Sequence, residues 1–139
     1  MDNQEFYGSL FPEGGIRVLA VFKNGLANPP VHYFYDSNAD LIESARIWDS
    51  RRKNAYHACA VYKTTDNRKG DNAAAAKALW LDLDVGPTKP YATAKEAAQS
   101  VENFRLTASL QPPHYVKSGG GIHAYFPFTK PVRPDQWKR

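Results

Sequence analysis

The chain has 139 residues, one domain's worth, and its 42% hydrophobic and 13% aromatic content supports a packed core rather than disorder. A formal net charge of +4 favours polyanionic partners. The single Cys59 excludes an internal disulfide, no Cys/His spacing suggests zinc, and neither a signal peptide nor a membrane-length apolar run is present, so a cytoplasmic protein with no membrane partner is expected.

Up to Gly15 the sequence is polar and Gly/Pro-containing apart from Phe6, Tyr7, Leu10 and Phe11, and it reads as an arm without periodicity. Residues 16–23 (IRVLAVFK) predict a first strand, ended by the turn dipeptide Asn24-Gly25. Residues 31–35 (VHYFY) supply the second arm of a loose hairpin. Ser37 or Asn38 caps a helix, with Asp40 near the positive end of its dipole. Leu41, Ala45 and Trp48 continue that helix at helical spacing to about Lys53. Arg51, Arg52 and Lys53 in its last turn complement the helix C-terminus or, alternatively, meet nucleic-acid phosphate. Residues 56–64 alternate as a third strand, with His57 packed within it. The polar loop 65–72 then places Arg68 and Lys69 within reach of a bound polyanion, and residues 73–77 bridge to the centre of the chain.

That centre is residues 79–86, LWLDLDVG. A strand sends alternate side chains to opposite faces, so Leu79, Leu81, Leu83 and Val85 point one way and Trp80, Asp82 and Asp84 the other. Two carboxylates side by side on so apolar a strand repel, and each costs several kcal/mol, as an order of magnitude, to desolvate unpaired. A divalent cation removes both penalties, and hard cations prefer oxygen ligands. Asp82 and Asp84 are therefore the candidate metal pair.

A loop at Gly86-Pro87-Thr88-Lys89-Pro90 follows, and Thr93-Ala94-Lys95-Glu96 forms a capping box that opens a second helix. Ala97, Val101, Phe104 and Ala108 supply its buried face, and it ends before Pro112-Pro113. Residues 114–117 start another strand. After Ser118, Gly119, Gly120 and Gly121 comes a last strand at 122–128, with Ile122, Ala124, Phe126 and Phe128 on one face and His123 and Tyr125 on the other. Pro127 marks an edge or a strand end. The fold class expected is α+β: an RRM-like antiparallel sheet unit with helices on one side, begun by residues 73–139, preceded by a smaller N-terminal α/β unit over 1–72.

Three features converge on one chemistry. The carboxylates bind metal. The Gly-rich turn lets backbone N–H groups approach phosphate oxygens. His123 follows two residues later. Two metals about 4 Å apart can activate a 3′-hydroxyl and stabilise leaving pyrophosphate, so these are parts for metal-assisted nucleotidyl transfer. Taken singly, an Asp-x-Asp pair, a glycine turn and a strand histidine each have an ordinary structural explanation.

Residues 79–86, the Lys89-Pro90-Tyr91 step, the helix through Phe104, and SGGGIHAY at 118–125 followed by Trp137 resemble the archaeo-eukaryotic primase superfamily, nearest to the primase-polymerase domains of phage and plasmid replication proteins. The resemblance implies a DNA polymerase or primase making or extending primers from nucleoside triphosphates on a single-stranded DNA template, with Mg²⁺ or Mn²⁺. It matches Asp82 and Asp84 to the first metal-binding motif and His123 to the histidine that contacts the nucleotide's phosphates. Ser118, Gly119, Gly120 and Gly121 match the nucleotide-binding turn before it. A fused or associated helicase is among the partners it implies. A third acidic residue on a later strand belongs to the pattern; Asp135, in a Pro-containing loop, is not assigned to it, and the chain is expected to be the N-terminal part of a longer catalytic domain. The alternative is a non-catalytic nucleotide or single-stranded nucleic-acid binding fragment, using Arg68, Lys69 and Lys117 on phosphates and exposed tyrosines for stacking. A nicking initiator fits poorly, since Ile122-His123-Ala124 offers one histidine where two are needed.

Overall fold

Asp2 and Glu5 stand three residues apart ahead of Phe6, Tyr7 and Leu10, the spacing of a reciprocal cap. In a computed structural model, which describes residues 1–137, this spacing opens helix α1 (Asn3–Leu10): the Asp2 carboxylate accepts from the Glu5 amide and the Glu5 carboxylate from the Asp2 amide, both at 2.9 Å. The expected N-terminal arm is thus a capped helix. Strands β1 (Arg17–Phe22) and β2 (Val31–Tyr35) form the expected antiparallel hairpin, and β3 (Asn54–His57) pairs on the other side of β1, giving the order β2-β1-β3. Helix α2 (Asn38–Ser50) begins at Ser37, whose hydroxyl accepts from the Asp40 amide.

The fold is α+β, with two antiparallel sheets and four helices among the described residues. By compactness the chain divides into Met1–Lys77 with Thr129–Arg139, the larger share, and Ala78–Phe128. In the first unit β1 is buried on both faces. Leu19 and Val21 meet Leu41, Phe11 and Val61, joined by Tyr7, Ala45 and Trp48, while Val18 meets Ala58, Tyr62 and Ala73. Arg17 is 5% exposed and ties the chain around it. Its guanidinium donates to the carbonyls of Pro12, Gly14, Gly15 and Asp36 and to Asn38 Oδ1.

The run expected as one strand at 56–64 is split. β3 ends at His57, and β4 (Val61–Tyr62) enters a second sheet of order β4-β5-β7-β6. Bonds to β1 and its flank hold the break: the Ala58 amide donates to the Val18 carbonyl at 2.9 Å, and Tyr62 exchanges two 2.8 Å hydrogen bonds with Ile16. His57 lies edge-on to the Tyr7 and Phe11 rings, at 5.2 and 5.7 Å.

Strand β5 (Ala73–Asp84) starts six residues earlier than the apolar pattern predicts. Its alanines join the clusters of the first unit, Ala74 and Ala75 with Val61 and Leu41, Ala73 with Val18. Alanine is a weak strand former, so packing decides here, not propensity. This is also why the division falls after Lys77 and not after residue 72.

In the second unit, β5 is followed by α3 (Ala94–Thr107), β6 (His114–Lys117) and β7 (Gly121–Val132), the expected β-α-β-β order. Leu83, Ala97, Val101, Ile122, Ala124 and Phe126 form its core. The Thr93 hydroxyl caps α3 by accepting from the Glu96 amide, while the Glu96 carboxylate reaches one residue further back, to the Ala92 amide at 3.0 Å. Two expected members of the buried helix face stand outside it. Phe104 is 41% exposed, touching Phe126 edge-on, and Ala108 is exposed beyond the helix end. Leu110 packs in their place. Ser109, at φ +54, turns the chain so that its amide reaches the Leu106 carbonyl and the Leu110 amide the Arg105 carbonyl, a Schellman stop made without glycine. β7 runs through Pro127 to Val132, past the expected end at 128, and its pairing with β6 stops at Tyr125, which leaves Pro127 where that ladder no longer needs a donor. The last helix, α4 (Pro134–Trp137), follows β7.

Candidate functional site

Alternation along β5 is as the sequence predicts: Leu83 is buried, while Trp80, Asp82 and Asp84 are exposed. The environment of the carboxylates differs from the expectation. Their side chains are 68% and 57% exposed, so water still solvates them and the desolvation argument for a metal does not operate. What remains is like charge on one face, and each carboxylate has its own cationic or potentially cationic neighbour. His123 Nε2 lies 3.4 Å from Asp82 Oδ1, and Lys89 Nζ lies 3.7 Å from Asp84 Oδ2.

The two neighbours are positioned by local structure. Strand alternation puts His123 and Tyr125 on the same side of β7, and the Tyr125 hydroxyl is 3.2 Å from His123 Nδ1. When that hydroxyl donates to Nδ1, the ring proton sits on Nε2, facing Asp82. Lys89 comes from a loop closed by two main-chain bonds, Gly86 amide to Tyr91 carbonyl at 2.9 Å and Lys89 amide to Gly86 carbonyl at 3.1 Å. Neither Lys89 nor Tyr125 carried an assigned role in the sequence. Lys89 could have been found as the first cation after two carboxylates in a Gly/Pro loop; Tyr125 could have been found as the same-face neighbour of His123.

The four turn residues have four separate circumstances. Ser118 donates its amide to the Gly121 carbonyl at 3.1 Å and closes the turn. Gly119 has φ +85, a left-handed conformation suited to glycine. Gly120 is in open space and accepts from the Val85 amide at 2.9 Å, which ties the turn to the end of β5. Gly121 allows close strand approach: a Cβ there would overlap the Leu83 carbonyl oxygen and lie 3.2 Å from the Asp84 Cα. The turn, the carboxylates and His123 are thus gathered at one place in the second unit. Lys117 is exposed on β6, next to the turn in sequence and paired with Ile122. Arg68 and Lys69 are exposed in the first unit, in a loop held by Asn72, whose amide donates to the Thr64 and Asn67 carbonyls. Asp135, also in the first unit, pairs with Arg133 at 3.1 Å, and that guanidinium holds its carboxyl below the usual range.

Among the described residues no group of three or more His, Cys, Asp or Glu side chains is gathered as a protein cage for a metal. The donor set of Asp82 and Asp84, two hydrated carboxylates on one open face, fits Mg²⁺ or Mn²⁺. Magnesium keeps several waters and is usually held by one or two carboxylates plus substrate phosphates. Among the described residues, no helix is long and apolar enough to cross a membrane. No protein-family model, no curated protein and no solved structure matches the chain.

Proposed function

We propose that this chain carries the nucleotidyl-transfer site of a cytoplasmic DNA-dependent primase-polymerase of the archaeo-eukaryotic primase type, extending primers from nucleoside triphosphates on a single-stranded template. The observation that carries the reading is the meeting of two separated motifs: Asp82 faces His123 at 3.4 Å, beside a glycine turn bonded to the end of the aspartate strand. A strand histidine and an Asp-x-Asp pair with unrelated roles need not meet.

In this reading Asp82 and Asp84 would hold Mg²⁺ or Mn²⁺, which would supply charge neutralisation at the triphosphate and activation of the attacking hydroxyl. The turn amides at 119–121 are available to phosphate oxygens because no side chain shields them. His123 Nε2, with its proton directed by Tyr125, would donate to a phosphate oxygen. Lys89 adds a second positive group beside Asp84, whose charge would otherwise repel the triphosphate. Trp80, 45% exposed on the same side of β5 as Asp82, is placed for stacking.

Binding of a fluorescent nucleoside triphosphate, with and without Mn²⁺, tests the reading. Wild type should bind in a Mn²⁺-dependent way, and Asp82→Ala, Asp84→Ala and His123→Ala should each weaken binding at least ~10-fold, the scale of one lost charge-assisted contact. Binding that ignores both aspartate changes refutes it and favours metal-independent binding.

A further inference from the structure

We propose that the corner of the first unit where β1 ends, α2 closes and β3 begins holds single-stranded nucleic acid, with Lys23, Arg51 and Lys53 on its phosphates and the Tyr56 ring under a base. That the strand is a template rests on the proposed nucleotidyl transfer; the binding itself does not. Helix α2 ends at Ser50 and not near Lys53 as expected, so Arg51, Arg52 and Lys53 stand past its last turn, and their side chains are not bonded to its last carbonyls. Main-chain amides serve those carbonyls: Arg52 donates to Asp49 at 2.8 Å and Lys53 to Trp48 at 3.0 Å, with Arg52 at φ +56 in a second glycine-free Schellman stop.

The cations are directed elsewhere. The Arg51 guanidinium lies 5.2 Å from the Trp48 ring centre, and Lys23 Nζ lies 4.8 Å from that ring and 5.0 Å from Tyr33. Lys53 Nζ donates to the Lys23 carbonyl at 2.8 Å, which joins the two ends of the cluster. Among the described residues none of the four cations forms an ion pair with a carboxylate. Three like charges held by rings and main chain, Lys23, Arg51 and Lys53, are a site for a chain of anions. The partner's second property comes from Tyr56. It is 50% exposed on the edge strand β3, three residues past Lys53, and Phe22 holds it edge-on at 5.7 Å. Tyr56 pairs with Ala20 and lies on the Ala20–Phe22 face, across the edge strand from the Leu19–Val21 face where Lys23 and Arg51 meet Trp48. A single strand that crosses this edge offers phosphates to one side and a base face to the other. An acidic peptide offers only the charge.

The test is fluorescence anisotropy of a labelled oligothymidylate on the full chain across a salt series. The double variant Arg51→Gln/Lys53→Gln should bind about 10-fold more weakly and lower the salt slope by about 1.4, two phosphates' worth for a single strand. Arg51→Lys should retain wild-type slope, Tyr56→Leu should weaken binding with the slope unchanged, and Lys95→Gln on α3 should match wild type. Asp82→Ala should bind the oligonucleotide normally, so this result stands or falls apart from metal-dependent nucleotide binding. No binding by wild type, equal binding by the double variant, or binding to phosphatidylserine vesicles in place of the oligonucleotide overturns the proposal.

Discussion

Replacing each glycine of the turn by alanine separates three physical roles that the sequence writes with one letter. At Gly121 the added Cβ would overlap the Leu83 carbonyl oxygen and come within 3.0 Å of the Leu83 carbonyl carbon and 3.2 Å of the Asp84 Cα. All three are backbone atoms, so no side chain can swing aside and the strands must part. Overpacking against fixed structure costs about 3 kcal/mol at the upper end of its usual range. At Gly119 the surroundings are open and only the φ of +85 resists a side chain, at about 1 kcal/mol. Gly120 has neither obstacle, and its change should stay within about 0.5 kcal/mol. Thermal melts convert these to about 10 °C, about 3 °C and no resolved shift, at roughly 3–4 °C per kcal/mol for a chain of this length. Because the displaced backbone carries Asp84, Gly121→Ala should also weaken metal-dependent nucleotide binding more than Gly119→Ala does. A Gly121→Ala melt within about 2 °C of Gly120→Ala would refute the close-approach argument.

Two further predictions concern the first unit. Arg17→Lys keeps the charge but cannot serve four carbonyls and Asn38 from one ammonium; urea unfolding should show a loss of about 3 kcal/mol, and an unchanged midpoint would contradict the anchoring role. Burial pushes the Cys59 thiol up to about 12 from an ordinary value near 9. The folded state therefore holds this proton more tightly, so its contribution to stability is full below pH 9 and is lost as pH rises toward 12, by about 1 kcal/mol between pH 9 and 10. Burial also raises the Tyr7 hydroxyl, so the measurement is the difference between wild type and Cys59→Ala; equal alkaline slopes would refute it.

What was legible in the sequence was whatever depended on near neighbours in the chain. A strand within 16–23, a helix cap at Ser37 or Asn38, the Thr93 cap and the outward set of Trp80, Asp82 and Asp84 follow from spacing alone, and the structure has the strand at Arg17–Phe22, the cap at Ser37 and the other two as expected. The Asp2/Glu5 box was equally local and was masked by the glycines and prolines that follow it. Other features depended on distant partners. Nothing inside residues 73–76 distinguishes a bridge from a strand, because the deciding contacts come from Val18, Val61 and Leu41. The split at 58–60 is set by hydrogen bonds to Ile16 and Val18. At the candidate site Asp82, Asp84, His123 and the glycine turn were named from sequence, but Lys89, and the pairings of Asp82 with His123 and Asp84 with Lys89, required the fold.

The stop of α3 at Ser109 has a consequence for chain length. Pro112-Pro113 lies beyond the helix end, and the turn at Ser109 hands the next residue, Leu110, to the second unit's core. Length changes are therefore tolerated unequally on the two sides of Leu110. One residue added within α3 advances the helix by about 100° and carries the turn, with Leu110, off the core. One residue added after Leu110 falls in a segment that bears exposed Gln111 and Pro112 before β6 begins, and only lengthens a connection. Indels in this region should accumulate at 111–113 and be absent from the preceding helical turn.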